Sequence, residues 1–181
     1  MAGKILERVY VWDRFVRLHH WSLVGLLILD GFVLDGNDAS HHWVGYAAAG
    51  LVGARLIWGV IGPLPARFTS FFPTPARIRA YLRTSRQPTR GHNPLGAVMV
   101  LLLLTLVLAL GATGWLMGTD AYWGDENLEA LHDALAYALL GCAIAHVGGV
   151  LLASWRTRVN LPRAMLTGYK VRDANALPFR D

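Results

Sequence analysis

Seven histidines punctuate an otherwise apolar chain, and their spacing is the first feature that can do chemistry. His132 and His146 stand fourteen residues apart. On an α-helix that is ~21 Å of axial rise, and fourteen steps of ~100° return within ~40° of the starting direction. Both side chains therefore share one face at two depths. His19 and His20 form one adjacent pair, and His41 and His42 another. Two histidines from facing helices, repeated at two levels, are what bis-histidine haem requires: a flat macrocycle whose iron is bound axially from both sides. Zinc needs three or four ligands converging on one point, and pairs ~21 Å apart do not supply that. The chain has no Cys-x-x-Cys-His for covalent haem attachment and no His-Glu-x-x-His for a metalloprotease. A single histidine in an apolar helix can serve only to hydrogen-bond a neighbour. It is the repetition that argues for ligation.

The elements that must position these residues are long apolar helices. The 181 residues are 54% hydrophobic and 16% charged, against roughly 25% charged for a soluble domain. The stretches Pro94 to Met117 and Leu131 to Trp155 each exceed the ~20 residues needed to cross a hydrocarbon core. Four spans are expected, over about 15–34, 40–61, 94–118 and 128–155, with a loop over 63–93. The first breaks at Asp35-Gly36-Asn37-Asp38, the second at Gly62-Pro63, and the third opens at Asn93-Pro94, an N-cap with proline at the first helical position. The fold class is thus an all-α integral membrane protein, a four-transmembrane-helix bundle, with residues 1–181 forming one domain. Met1 to Phe15 lacks the apolar core and cleavage site of a signal peptide, so the first span is expected to remain as an anchor. Cys142 is the only cysteine, which rules out an intrachain disulfide.

Orientation follows from the basic residues. Of 17 Lys and Arg, Lys4, Arg8, Arg14 and Arg17 precede or open the first span. Arg67, Arg77, Arg79, Arg83, Arg86 and Arg90 lie between spans two and three, and Arg156, Arg158, Arg163, Lys170, Arg172 and Arg180 follow span four. The other two connections carry Asp35, Asp38, Asp120, Asp125, Glu126 and Glu129 instead. Under the positive-inside rule both termini and the loop over 63–93 face the cytoplasm. The net charge of +5 is then a topology signal and a contact for anionic lipid, not a nucleic-acid face. Within the loop, Ile78, Tyr81 and Leu82 at helical spacing among arginines predict a short amphipathic surface helix over Pro75 to Arg86. Trp21, Trp43, Trp58, Trp115, Trp123 and Trp155 sit at span ends, as interfacial aromatic belts do.

This topology decides which histidines can meet. Spans two and four both descend from the outside, so His41 or His42 lies at the depth of His132. Span one ascends, so His19 or His20 lies at the depth of His146. Small residues leave room for a macrocycle: Gly45, Ala47, Ala48, Ala49, Gly50 and Gly53 in span two, and Gly141, Gly148 and Gly149 in span four. Close helix packing would use the same residues. Arg55, the one basic residue inside a span, follows His41 by fourteen residues. It can pair with a haem propionate at the inner level or snorkel to the interface. His92 fits a surface or capping role, and Asp30 an interfacial one.

At these residues the chain resembles the bacterial cytochrome b561 family, in particular its hydrogenase-type cytochrome b branch. The matching pieces are Val11-Trp12-Asp13 with Arg17-Leu18-His19-His20-Trp21, then His41-His42-Trp43-Val44-Gly45-Tyr46 leading to Arg55-Leu56-Ile57-Trp58-Gly59. They continue through Ala66-Arg67-Phe68, Gly91 to Gly96, Thr113-Gly114-Trp115, Trp123-Gly124-Asp125, His132, His146, Asn160-Leu161 and Ala164-Met165, nearly the whole chain. The resemblance implies His20 as the ligand directly before tryptophan and His41 as the ligand four residues before the glycine, with His132 and His146 as their partners. It implies two non-covalent haem b groups, and ubiquinone or menaquinone as an exchangeable substrate. The redox partner it implies is a periplasmic c-type cytochrome or a hydrogenase-like subunit. One branch of the family oxidises superoxide and reduces quinone, so an oxidoreductase acting on quinone is the alternative to a pure electron-transfer subunit. A haem-free proton or ion transporter with histidine relays is the alternative from another class. A homo-oligomer is compatible with the sequence, which leaves the oligomeric state open.

Overall fold

The computed structural model describes residues 6–34, 36, 39–83, 89, 91–173 and 179. Strand β1 (Leu6–Tyr10) leads into α1 (Arg14–Phe32) and α2 (Ala39–Ile61). A 3-10 turn at Leu64–Ala66 and the short helices α3 (Phe68–Phe71) and α4 (Pro75–Arg83) follow. Then come α5 (Pro94–Met117), α6 (Glu126–Thr157), α7 (Leu161–Thr167) and strand β2 (Tyr169–Asp173). The chain is mostly helical, as expected, with one short antiparallel strand pair that hydropathy did not reveal.

Local chemistry explains the helix ends. Asp13 Oδ1 accepts from Val16 N at 2.9 Å and so caps α1. Asn93 Oδ1 accepts from Gly96 N at 2.6 Å, and Pro94 opens α5 where no intrahelical N–H is needed. Asp125 Oδ1 accepts from Asn127 N and Leu128 N at 2.9 and 3.1 Å. That cap starts α6 at Glu126, two residues before the expected Leu128, with Glu126 and Glu129 in the first turn where the helix dipole favours acids. Among the turn residues expected after the first span, Asp35, Asn37 and Asp38 lie outside the described residues, as do Lys4, Arg86, Arg90 and Arg180. The surface helix is present as α4, and its expected last three residues, 84–86, also lie outside them.

Among the described residues three helices are long and apolar enough to cross a membrane: Ala39–Ile61, Pro94–Met117 and Glu126–Thr157. Only 6% of the apolar window of α6 is buried inside the protein, so its hydrophobic side chains face outward, as lipid contact requires. α1 has comparable length, but Arg14, Arg17, His19, His20 and Asp30 dilute its apolar character.

The chain gathers into two compact units. The first comprises Met1–Arg17, Trp58–Val100 and Ala145–Asp181. Its core is Val11, Trp12, Val16, Ala66 and Ala164, flanked by Val9, Trp58 and Met165. β1 pairs antiparallel with β2 from Leu6↔Asp173 to Tyr10↔Tyr169. The Gly168 carbonyl accepts from both Val11 N and Trp12 N at 2.9 and 3.1 Å. Gly168 itself holds φ 89°, the left-handed conformation that ends α7 and turns the chain into β2. Trp58, expected as a membrane-belt residue, packs on Phe15 and donates its indole N–H to Asp13 Oδ2 at 3.3 Å. The half-buried His92 packs its ring against Trp12 and Phe71, with ring centres 4.6 and 4.4 Å apart.

The second unit comprises Leu18–Ile57 and Leu101–Ile144. Here α2 and α5 touch closely at one point, where a Cβ on Gly111 would come within 2.8 Å of Ala49 Cβ. Gly45, Gly50, Gly53 and Gly141 behave differently, since a Cβ at any of them would meet nothing within 4 Å. Those four are not residues of tight helix packing.

Candidate functional site

Four helices of the second unit bring five polar side chains to a common cluster. Asp30 stands in the last turn of α1, His41 and His42 in the first turn of α2, Thr113 near the end of α5, and His132 two turns into α6. The His41 and His132 rings lie 6.3 Å apart between centres, at an interplanar angle of 75°. His42 is exposed, its ring centre 6.1 Å from that of His41.

Nδ1 of each imidazole of the pair faces a polar side chain. The Thr113 hydroxyl lies 2.7 Å from His132 Nδ1 and also within 2.9 Å of the Ala109 carbonyl and 3.1 Å of the Leu110 carbonyl. A hydroxyl has one proton, which it can donate to one of these carbonyls beside the α5 backbone N–H groups that they already accept. With its proton given to the backbone, the Thr113 oxygen accepts from Nδ1–H of His132, the tautomer that leaves Nε2 with its lone pair. Gly114 borders the same ring, with room for a Cβ only at 3.5 Å from His132 Cε1. On the other side, His41 Nδ1 lies 3.0 Å from Asp30 Oδ1. The distance is that of an ion pair, although the two atoms are not aligned for a hydrogen bond. Thr113 is buried at 7% exposure, and the Asp30 and His41 side chains are only 19% and 24% exposed, so these contacts act with little screening by water.

Two imidazoles whose Nδ1 atoms face polar side chains would hold an iron between them through Nε2. Metal–imidazole bonds of ~2 Å would put the two nitrogens roughly 4 Å apart and the ring centres roughly 6 Å apart. The observed 6.3 Å agrees with that requirement. Among the described residues no group of three or more His, Cys, Asp or Glu is arranged to hold a bare metal ion.

A family model described as prokaryotic cytochrome b561 matches residues 11–168. The chain belongs to the prokaryotic cytochrome b561 family. No curated protein matches it, and neither does any solved structure. As a cytochrome b561 it is a membrane protein that transfers electrons through haem b. The match covers all four long helices and α7.

The remaining expected site residues of this cytochrome are distributed as follows. His20 belongs to the second unit, half-buried, with its ring edge-to-face on Trp21 at 5.0 Å. His146 belongs to the first unit, half-buried on α6. His19 is buried and hydrogen-bonds the Leu51 backbone. Arg55 is 4% exposed, so it does not extend to solvent, and its charge acts on His19. Sequence reasoning gave neither Asp30 nor Thr113 a role beside a histidine. Asp30 was assigned to the interface, although an acid within an apolar run is itself a functional signal. Thr113 was visible only as part of Thr113-Gly114-Trp115.

Proposed function

We propose that this cytochrome relays electrons across a bacterial inner membrane through two bis-histidine haems b, between the quinone pool and a periplasmic redox partner. His41 and His132 hold the outer haem; His20 and His146 hold the inner one. The observation that carries the reading is the His41–His132 pair, with ring centres 6.3 Å apart and Nδ1 of each ring against a polar side chain. His42, exposed beside the pair, is the weaker candidate for α2. The inner pair rests on the sequence, through the fourteen-residue spacing from His132 to His146 and the tryptophan after His20.

Four spans, α1, α2, α5 and α6, with both termini cytoplasmic, accommodate this arrangement. At 19 residues α1 is about 28 Å long, close to the ~30 Å of a hydrocarbon core. The β1–β2 ladder joins the segments flanking both chain ends, as a shared side of the membrane requires. The arginines and lysines of the N-terminal, 63–93 and C-terminal segments follow the positive-inside rule.

When bound, haem b supplies reversible one-electron exchange at its iron. The chain's own residues would present two imidazoles to the iron and keep water from the buried Thr113 side of the cluster, and the Arg55 guanidinium would pair with a propionate. Membership of the family speaks against a haem-free transporter. A partner from the hydrogenase-like or c-type cytochrome class completes the relay on the periplasmic side.

Purified protein in mild detergent is expected to contain two haems b per chain, with sharp low-spin reduced-minus-oxidised bands. His132→Leu should remove one haem and His146→Leu the other. One haem per chain in the wild type, or loss of both haems in each single variant, would overturn the paired-site assignment.

A further inference from the structure

We propose that Asp30 and Thr113 are positioning residues for the outer haem, each engaging Nδ1 of one axial histidine so that Nε2 is kept for the iron. This rests on the assignment of His41 and His132 as the outer ligands. Ligating histidines are characteristically held at their other ring nitrogen by a carboxylate, carbonyl or comparable polar group, which sets both ring orientation and ligand basicity. Here the two partners differ in kind. His41 faces a carboxyl group at 3.0 Å, whereas His132 faces a hydroxyl at 2.7 Å.

The difference has distinct consequences at the two ligands. A carboxylate 3.0 Å from Nδ1 acts on the ring electrostatically and makes the imidazole a stronger electron donor, which favours ferric over ferrous iron. The Thr113 hydroxyl carries no charge. With its own proton turned to the α5 backbone, its oxygen can accept a hydrogen bond from His132 Nδ1–H, so its effect is to fix the tautomer and the ring direction. Asp30 should therefore tune the potential of the outer haem, and Thr113 its retention. Both residues come from helices, α1 and α5, that supply no ligand to this haem. Together with α2 and α6 they make the outer site a product of all four long helices.

The test uses the full-length protein in detergent with Asp30→Asn, Thr113→Val and Thr113→Ser. Asp30→Asn keeps the side-chain shape and removes the negative charge. The outer haem is expected to become easier to reduce by about tenfold in its equilibrium, which corresponds to about 59 mV for one electron, while the inner haem keeps its potential. Thr113→Val is expected to lower haem affinity at the outer site by about 10-fold or more, seen as partial loss of one low-spin electron paramagnetic resonance signal. Thr113→Ser retains the hydroxyl and should restore it. Equal shifts of both haems in Asp30→Asn, or unchanged potentials and signals in Asp30→Asn and Thr113→Val, would refute the positioning role. Absence of haem from the wild type, or retention of both haems in His41→Leu and His132→Leu, would instead refute the ligand assignment on which it rests. If Thr113→Val does not accumulate in the membrane, Asp30→Asn decides the matter alone.

Discussion

Lys170 offers a quantitative check on how the first unit is held together. Its residue is 3% exposed, and Nζ donates to the Thr89 carbonyl at 2.8 Å and the Gly91 carbonyl at 2.7 Å, with the Trp12 ring centre 5.6 Å away. Burial pushes its pKa from 10.5 down to about 7. A neutral amine has two N–H groups, enough for both carbonyls, so the uncharged form is fully satisfied there. The unfolded chain keeps this proton up to about 10.5, whereas the folded chain releases it near 7. Between those values the unfolded state binds more protons, and stability must rise with pH. Below about 7 the penalty for burying the ammonium is fully present. The whole difference corresponds to at most roughly 5 kcal/mol at 1.36 kcal/mol per pH unit. Amide hydrogen exchange of residues 6–10 and 169–173, corrected for intrinsic exchange rates, measures the opening of the β1–β2 ladder. Its opening free energy should increase between pH 6.5 and 9.5 in the wild type. Lys170→Met should be lower by about 1–3 kcal/mol near the top of that range, because two carbonyls lose their donor, and it should not vary with pH. A wild-type profile flat with pH, or the same slope in Lys170→Met, would refute the reasoning.

Two further substitutions probe close approaches in the two units. Gly168→Ala must adopt φ 89° and bring its Cβ within 2.9 Å of the Trp12 carbonyl oxygen; it should cost at least ~1–2 kcal/mol, read as a lower thermal midpoint and faster exchange in the strand pair. Gly111→Ala should weaken the α2–α5 contact, where Ala49 Cβ lies 2.8 Å from the added carbon. Combining it with Ala49→Gly should restore most of the loss, and a strictly additive double variant would show that the two positions do not touch.

Much of the architecture was legible without coordinates, because it depends on short-range rules. Apolar runs marked the long helices, and Asn93-Pro94 marked the start of α5 through a cap that spans only three residues. The fourteen-residue interval between His132 and His146 placed both on one helix face by periodicity alone. The resemblance carried by those histidines and their flanking motifs proved to be family membership over residues 11–168. What escaped the sequence was set by partners distant along the chain. β1 and β2 are five-residue strands that pair across more than 150 residues, and neither has a hydropathy pattern that distinguishes it from loop. Lys170 was counted only as one more positive charge, because its burial comes from the carbonyls of residues 89 and 91 and from Trp12. Asp30 and Thr113 became neighbours of His41 and His132 only once four helices converged, since helical periodicity says which face a side chain occupies but not which helix lies opposite. The sequence by itself determined the helices and the depth of each histidine within them. Tertiary structure decided which polar group meets each imidazole, because that depends on how separate helices pack and not on the repeat of any one of them.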